Sequence, residues 1–255
     1  MAEPVSHSRS TRREWVKRGV MIGASAGAGA IVGAASYPSL FGPPTNPQGE
    51  IRESIVYTQF PFTFTWWNHL AGSDVSITDF QEWQGASAVW RGLFRNGGWV
   101  QGTGYPVVVI RIKRESQFFT APTDVALPPG FSLYYDDPVR DVRIVTVLSS
   151  CTHLCCYAGW HVITDPPPPR DYAAYGADPP TYTQFGQDPI YCACHGSQYD
   201  PMVLVVDVNG KNGAQYVGAL RVRGPAPRAL PVIPVRAVGD TLIGGMPDPR
   251  WYEYC

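Results

Sequence analysis

The sequence predicts an all-β protein built of short strands joined by many turns. Of its 255 residues, 26 are Gly and 25 are Pro, a density that excludes a helical bundle. Runs dense in β-branched and aromatic side chains recur, each bounded by Gly, Pro, Asn or Asp. Apolar residues make up 44% and charged residues 16%, the balance of a globular chain rather than a disordered one. The net charge of -1 gives a nucleic-acid partner no electrostatic support.

The amino-terminal part reads as a targeting segment. Residues 1–18 carry five basic groups (Arg9, Arg12, Arg13, Lys17, Arg18) against two acids (Glu3, Glu14), whereas the remainder is mildly acidic. Thr11-Arg12-Arg13-Glu14-Trp15-Val16-Lys17 resembles the S/T-R-R-x-aromatic-apolar-K pattern of twin-arginine export signals. Such signals serve proteins exported already folded, often around a cofactor. Residues 19–38 are uncharged and rich in Gly and Ala. About 20 residues at 1.5 Å each can just span a hydrocarbon core. No A-x-A site sits cleanly at the end of the run, Ala34-Ala35-Ser36 being the nearest. The expectation is a retained single-pass transmembrane helix, with the amino terminus cytoplasmic and the body on the extracytoplasmic side. Residues 39–50, with Gly42-Pro43-Pro44-Thr45-Asn46-Pro47-Gln48-Gly49 at their centre, have the composition of a semi-rigid hinge linker.

Within the body, 51–255, strands are predicted at Ile51–Phe60, Val107–Ile112, Val142–Leu148, Met202–Val208, Tyr216–Val222 and Leu230–Val238. Ile77, Phe80, Trp83, Trp90 and Phe94 have a rough helical spacing, which predicts a short helix over Ile77–Phe94. Two Pro-rich stretches, Asp165–Arg170 and Ala177–Pro180, read as loops. Trp66, Trp67 and Trp99 read as core or interface anchors. His7, His69 and His161 carry no motif.

Chemistry concentrates in two boxes, Cys151-Thr152-His153-Leu154-Cys155-Cys156 and Cys192-Ala193-Cys194-His195-Gly196-Ser197. Thiolate and imidazole at C-x-H and C-x-x-H spacing are metal-ligand chemistry. Zinc could take a Cys2His2 set, but that reading leaves the neighbouring cysteines, Ser197 and Tyr199 without a purpose.

The boxes resemble those of the Rieske iron–sulfur proteins, whose patterns are C-T-H-L-G-C and C-P-C-H-G-S. Two further stretches resemble the same family. Gly224-Pro225-Ala226-Pro227-Arg228-Ala229-Leu230 is similar to its G-P-A-P-x-x-L Pro loop, and Tyr105–Arg111 to the strand before its cluster domain. The resemblance implies a Rieske fold of stacked antiparallel sheets with an inserted cluster-binding subdomain, about 149–201, and a Pro loop at 224–230. It implies one [2Fe–2S] cluster per chain, with Cys151 and Cys192 on one iron and His153 and His195 on the other. Ser197 and Tyr199 would be hydrogen-bond donors to the cluster's bridging sulfide and to a ligand sulfur. By spacing, it implies a disulfide between Cys156 and Cys194 that ties the two loops. An oxidising compartment, in agreement with export, is required for that bond.

This chain departs from the family pattern at several points. Cys155 stands where the family has Gly, so the residues alone leave open which adjacent cysteine bonds Cys194. Ala193 replaces a Pro. The 35 residues between Cys156 and Cys192, and the long stretch from Ser197 to Gly224, are expected as surface excursions. Cys155 and Cys255 are left over and form a candidate second disulfide.

The resemblance points most closely to the Rieske subunit of a cytochrome bc-type quinol–cytochrome c oxidoreductase. Such a subunit takes an electron from quinol, with proton coupling at His153 or His195, and swings on its hinge to a c-type cytochrome. The implied partners are a cytochrome b-type subunit, a c-type cytochrome, quinol and the membrane, in a dimeric multi-subunit complex. The protein would be the electron-transfer subunit of that enzyme, with no complete turnover alone. The alternative is the exported Rieske small subunit of another oxidoreductase, such as arsenite oxidase.

Overall fold

The computed structural model describes residues 49–59, 65–96, 98–114, 119–160 and 190–255. The leader, the anchor, residues 39–48 of the linker, His7, His161 and both Pro-rich loops lie outside the described residues.

The fold is all-β, with antiparallel sheets. In chain order the first strands are β1 (Glu50–Ile51), β2 (Val56–Tyr57), β3 (Gln84–Trp90), β4 (Leu93–Arg95), β5 (Gly98–Trp99), β6 (Tyr105–Ile112), β7 (Tyr135–Asp137) and β8 (Val142–Leu148). There follow β9 (Ala158–Trp160), β10 (Ile190–Cys192), β11 (Ser197–Val208), β12 (Gln215–Arg223), β13 (Leu230–Pro231), β14 (Val235–Val238) and β15 (Thr241–Gly244). Two five-stranded sheets make up most of the body, in the orders β2-β3-β6-β8-β7 and β13-β12-β11-β10-β9. A three-stranded sheet, β1-β4-β5, and the β14-β15 hairpin complete it. Among the described residues only two short 3-10 turns occur, and no helix is long and apolar enough to cross a membrane.

The central strands are buried on both faces, and this explains their composition. β8 (VRIVTVL) is buried at every position, and in β6 residues 107–110 are buried without interruption. A strand covered on both sides reads as a continuous apolar run, not an alternating one. Arg143 is the one charge in β8. Its guanidinium lies over the Phe119 ring (4.4 Å) and the Tyr134 ring (5.2 Å), and its Nε donates to Asp136 at 2.8 Å.

The expected helix over Ile77–Phe94 is not formed. Gln84–Trp90 is strand β3, paired along its length with β6, and Leu93–Arg95 is strand β4. The apolar spacing arises from burial on two faces rather than from one helical stripe. Gly85-Ala86-Ser87-Ala88 is a run of small residues, and the strand passes close beneath Trp160. A Cβ on Gly85 would fall 2.5 Å from the indole Cγ. Two left-handed residues bracket the strand, Trp83 (φ 64) and Arg91 (φ 56).

The stretch after Ser197 also differs from expectation. Instead of a surface excursion it forms the long β11–β12 hairpin, an integral part of the second sheet. Tyr199, Met202, Leu204, Tyr216, Val217 and Ala219 on it are buried. The predicted strand Leu230–Val238 is split into β13 and β14, and Ile51–Phe60 yields the short β1 and β2.

The two large sheets share one apolar core. Ile110, Val145 and Val147 of the first belong to the same buried cluster as Ile190, Leu204 and Val217 of the second. The sheets are also stitched by backbone: Ile233 N–H donates to Thr146 at 2.8 Å, and Val147 bridges to Val232. Buried side chains of this size contribute about 1.5–3 kcal/mol each. The second sheet is therefore held firmly on the first, and the two boxes lie at its edge, one entering β9 and the other joining β10 to β11.

Candidate metal centre

Each box is a tight loop set by its strands. The first leaves β8 and enters β9. It closes on itself through Cys151 N–H to the Cys156 carbonyl (2.8 Å) and Cys155 N–H to the Cys151 carbonyl (2.9 Å). Cys155 takes the left-handed conformation at φ 60. The second box is the turn between β10 and β11, closed by Gly196 N–H to the Cys192 carbonyl at 2.9 Å. Antiparallel register aligns Ala158, Cys192 and Ser197 across β9, β10 and β11, and this brings the two loops side by side.

Two disulfides bind these loops. Cys156 is bonded to Cys194, joining one box to the other. Cys155 is bonded to Cys255, joining the first box to the last residue of the chain. Cys151 and Cys192 are free and buried, each 1% exposed. The sulfurs of Cys156, Cys192 and Cys194 lie within 4.8 Å of one another. Two of the three are consumed by the disulfide, so this trio offers one thiolate and not three. The thiolates open to a metal at this site are Cys151 and Cys192.

The imidazoles of His153 and His195 pack edge to face, with centroids 4.8 Å apart. His195 is exposed and His153 half-buried. The Nδ1 of His153 is buried and has no hydrogen-bond partner among the described residues. A buried ring nitrogen left unsatisfied is costly, and a metal ion is one group that satisfies it.

Donors converge on the free thiols. The Tyr199 hydroxyl lies 3.1 Å from the Cys151 sulfur, and its ring is fully buried. Thr152 Oγ1 lies 3.4 Å from the same hydroxyl and donates to the Arg228 carbonyl at 2.8 Å. Ser197 Oγ, also fully buried, accepts from the Ala226 N–H at 3.1 Å, which leaves its own proton to donate toward the Cys151 sulfur. Gly224 is left-handed at φ 87 and lies flat on Ser197, where a Cβ would meet the serine Cα at 2.5 Å. This contact seats residues 224–226 against Ser197.

The thiols are coupled. A hydrogen bond from Cys192 is the largest influence on Cys151; with Tyr199, the His153 N–H and Ser197 it outweighs burial and pulls the Cys151 thiol down to about 5. Cys192 is pushed up, first by donating to Cys151, then by burial and by the neighbouring negative charge. Binding a cation at this pair would favour the thiolate form of both sulfurs. Burial and the Cys151 charge raise the Tyr199 phenol well above its ordinary range, so it stays a donor.

Every site residue taken from the sequence, Cys151, His153, Cys192, His195, Ser197 and Tyr199, lies in or directly against these two loops. Buried thiols, an orphaned imidazole nitrogen and donors aimed at sulfur fit a metal or iron–sulfur group. Sequence reasoning missed Thr152, Arg228 and Tyr254. Tyr254 donates to the Ser150 carbonyl at 2.5 Å, and the only signal for it was the neighbouring Cys255, a candidate disulfide partner of Cys155. A scan against protein-family models finds no match to this chain, and a search of curated proteins finds none.

Proposed function

We propose that this is a Rieske-type protein, in which Cys151 and Cys192 hold one iron and His153 and His195 the other iron of a [2Fe–2S] cluster. The observation that carries this reading is the pairing of two free, buried thiols with two imidazoles on adjacent loops, tied by the Cys156–Cys194 disulfide. When bound, such a cluster supplies a one-electron couple in the range of about −150 to +300 mV.

The chain's own residues tune and present that couple. Neutral imidazoles in place of two thiolates leave less negative charge at the site. Tyr199 and Ser197 donate toward sulfur and favour the reduced state, which places the couple in the upper part of the range. Burial of both cysteines keeps water from the sulfur side. His195 is exposed and His153 half-buried, so both imidazoles lie at the accessible edge of the site, the side from which quinol would approach. Leu154 beside His153 is 62% exposed and gives the histidine edge an apolar rim suited to a quinol-binding cleft.

On this reading the protein is the mobile electron carrier of a membrane quinol–cytochrome c oxidoreductase. It accepts an electron from quinol at a cytochrome b-type subunit, with His153 or His195 as the proton acceptor, and delivers the electron to a c-type cytochrome. The anchor at 19–38, the hinge at 39–50, the extracytoplasmic location and the Rieske fold belong to the same proposal and rest on the sequence. The test is iron and acid-labile sulfide analysis of the isolated protein, with electron paramagnetic resonance after dithionite. Two irons and a Rieske signal that is lost in His195→Cys are expected; zinc, or a silent spectrum, overturns the reading. A co-purifying haem-b subunit distinguishes the quinol enzyme from a molybdopterin-containing one.

A further inference from the structure

Residues 249–255 form a strap that runs from the buried core to the first box. Its root is fixed. Asp248 caps the 3-10 turn Pro249–Trp251 through the Arg250 N–H (2.9 Å), and the Arg250 carbonyl accepts from the side-chain amides of Asn209 (2.7 Å) and Asn212 (3.0 Å). Trp251 and Tyr252 are buried, and Tyr252 donates to the Val232 carbonyl at 3.1 Å. Its tip makes two contacts with the box. The Tyr254 hydroxyl donates to the carbonyl of Ser150, and Cys255 is bonded to Cys155. The residues between those two points are Cys151, Thr152, His153 and Leu154.

We propose that this strap is a positioning device that holds the first ligand loop in its cluster-binding conformation by gripping it at Ser150 and Cys155. The proposal rests on the cluster reading above.

Three observations support it. Cys155 sits in left-handed backbone, a strained position for a residue with a Cβ, and such strain persists where the surroundings fix it. The bond to Cys255 supplies that fixing, and it gives a reason for a cysteine where glycine would be relaxed. Second, the strap's root is in the apolar core while its tip is on the loop, so the loop's position is referred to the core and not only to its own two backbone bonds. Third, the Cys156–Cys194 bond passes the restraint from the first loop to the second. The second loop is anchored in its own strands, so releasing the strap is expected to loosen the first loop and, through that bond, its register on the second.

The test compares the full-length holoprotein with the double variant C155S/C255S, which lacks the bond, and with Y254F, which lacks only the hydroxyl. All three are expected to load the same iron. With a chelator present, well below the unfolding temperature, iron release is expected to be about tenfold faster in the double variant and several-fold faster in Y254F. The resonance lines should broaden as the ligand loop samples more geometries. Peptide-level hydrogen exchange should rise across 151–156 and not in β3, β6 or β8. Release within about twofold of the parent in both variants, or a rise in exchange spread evenly over the body, overturns the strap's role. A parent that holds no iron overturns the cluster reading, and the strap's role with it. A parent that holds iron, with unchanged release in the variants, overturns the strap alone.

Discussion

The phenol of Tyr199 is fixed by burial on all sides and by its 3.1 Å approach to the Cys151 sulfur. Ser197 is fixed from the other direction by the Ala226 N–H. Each gives the sulfur side one donor, and a donor to a negatively charged acceptor strengthens as charge is added. On the proposed cluster reading, Tyr199→Phe and Ser197→Ala are each expected to lower the midpoint. The drop is about 60 mV for a bond ~1.4 kcal/mol stronger in the reduced state. Potentiometric titration followed by paramagnetic resonance measures it, and unchanged midpoints in both variants would remove the hydrogen-bond account. Much of this was legible in the sequence, because motif residues spaced i and i+2 on a strand share a face. Thr152 and Tyr254 were not, because their partners, the carbonyls of Arg228 and Ser150, are 76 and 104 residues distant.

At the scale of elements, the hairpin tips of the first sheet are held by charge. Asp137 receives Arg140 Nε at 2.6 Å, and Arg140 reaches on to Asp240 at 2.6 Å in the turn between β14 and β15. Asp136 on β7 receives both Arg114 and Arg143 at 2.8 Å. The Arg140 side chain and backbone N–H hold the Asp137 carboxyl down to about 2. Burial alone would raise Asp136, but the bonds from Arg114 and Arg143 outweigh it and hold it below its ordinary 3.8. A carboxylate depressed in the folded state contributes stability that is complete above its unfolded value and is lost as pH falls through the folded one. Thermal melts are therefore expected to hold steady down to about pH 4 and to fall steeply toward pH 2. Asp137→Asn should lose less over that window than the parent; an identical slope in the two proteins would count against the network. Strands β6 and β8 were readable from their apolar runs. Strand β3 was not, because its small residues answer to Trp160, on a strand some 70 residues later.

At the scale of the whole described body, the carboxyl-terminal segment joins strands that are far apart in sequence. Tyr252 is fully buried, packs against Trp90 (5.9 Å) and Tyr105 (5.4 Å), and reaches the Val232 carbonyl. It therefore touches β3, β6 and the segment after β13 at once. Tyr252→Ala is expected to cost about 3–5 kcal/mol, since a large aromatic leaves a cavity that rigid sheets cannot fill. Urea unfolding measures this, and a shift under about 1 kcal/mol would mean the joint is not a core position. The Cys155–Cys255 bond spans 100 residues, a closure that restricts the unfolded chain by about 4.7 kcal/mol in the chain-entropy model.

By itself the sequence determined the all-β class and the positions of the central strands, and it named six residues that the fold brings to two adjacent loops. Those properties are local: apolar runs, turn formers and motif spacing are written in consecutive residues. Only the tertiary structure decided that Gln84–Trp90 is a strand, and it formed the two disulfides that the sequence had offered as expectations, Cys156–Cys194 and Cys155–Cys255. Each of those depends on which distant segments meet. That is fixed by how the two sheets share one core and by close approaches, such as Gly85 under Trp160, that no local pattern encodes.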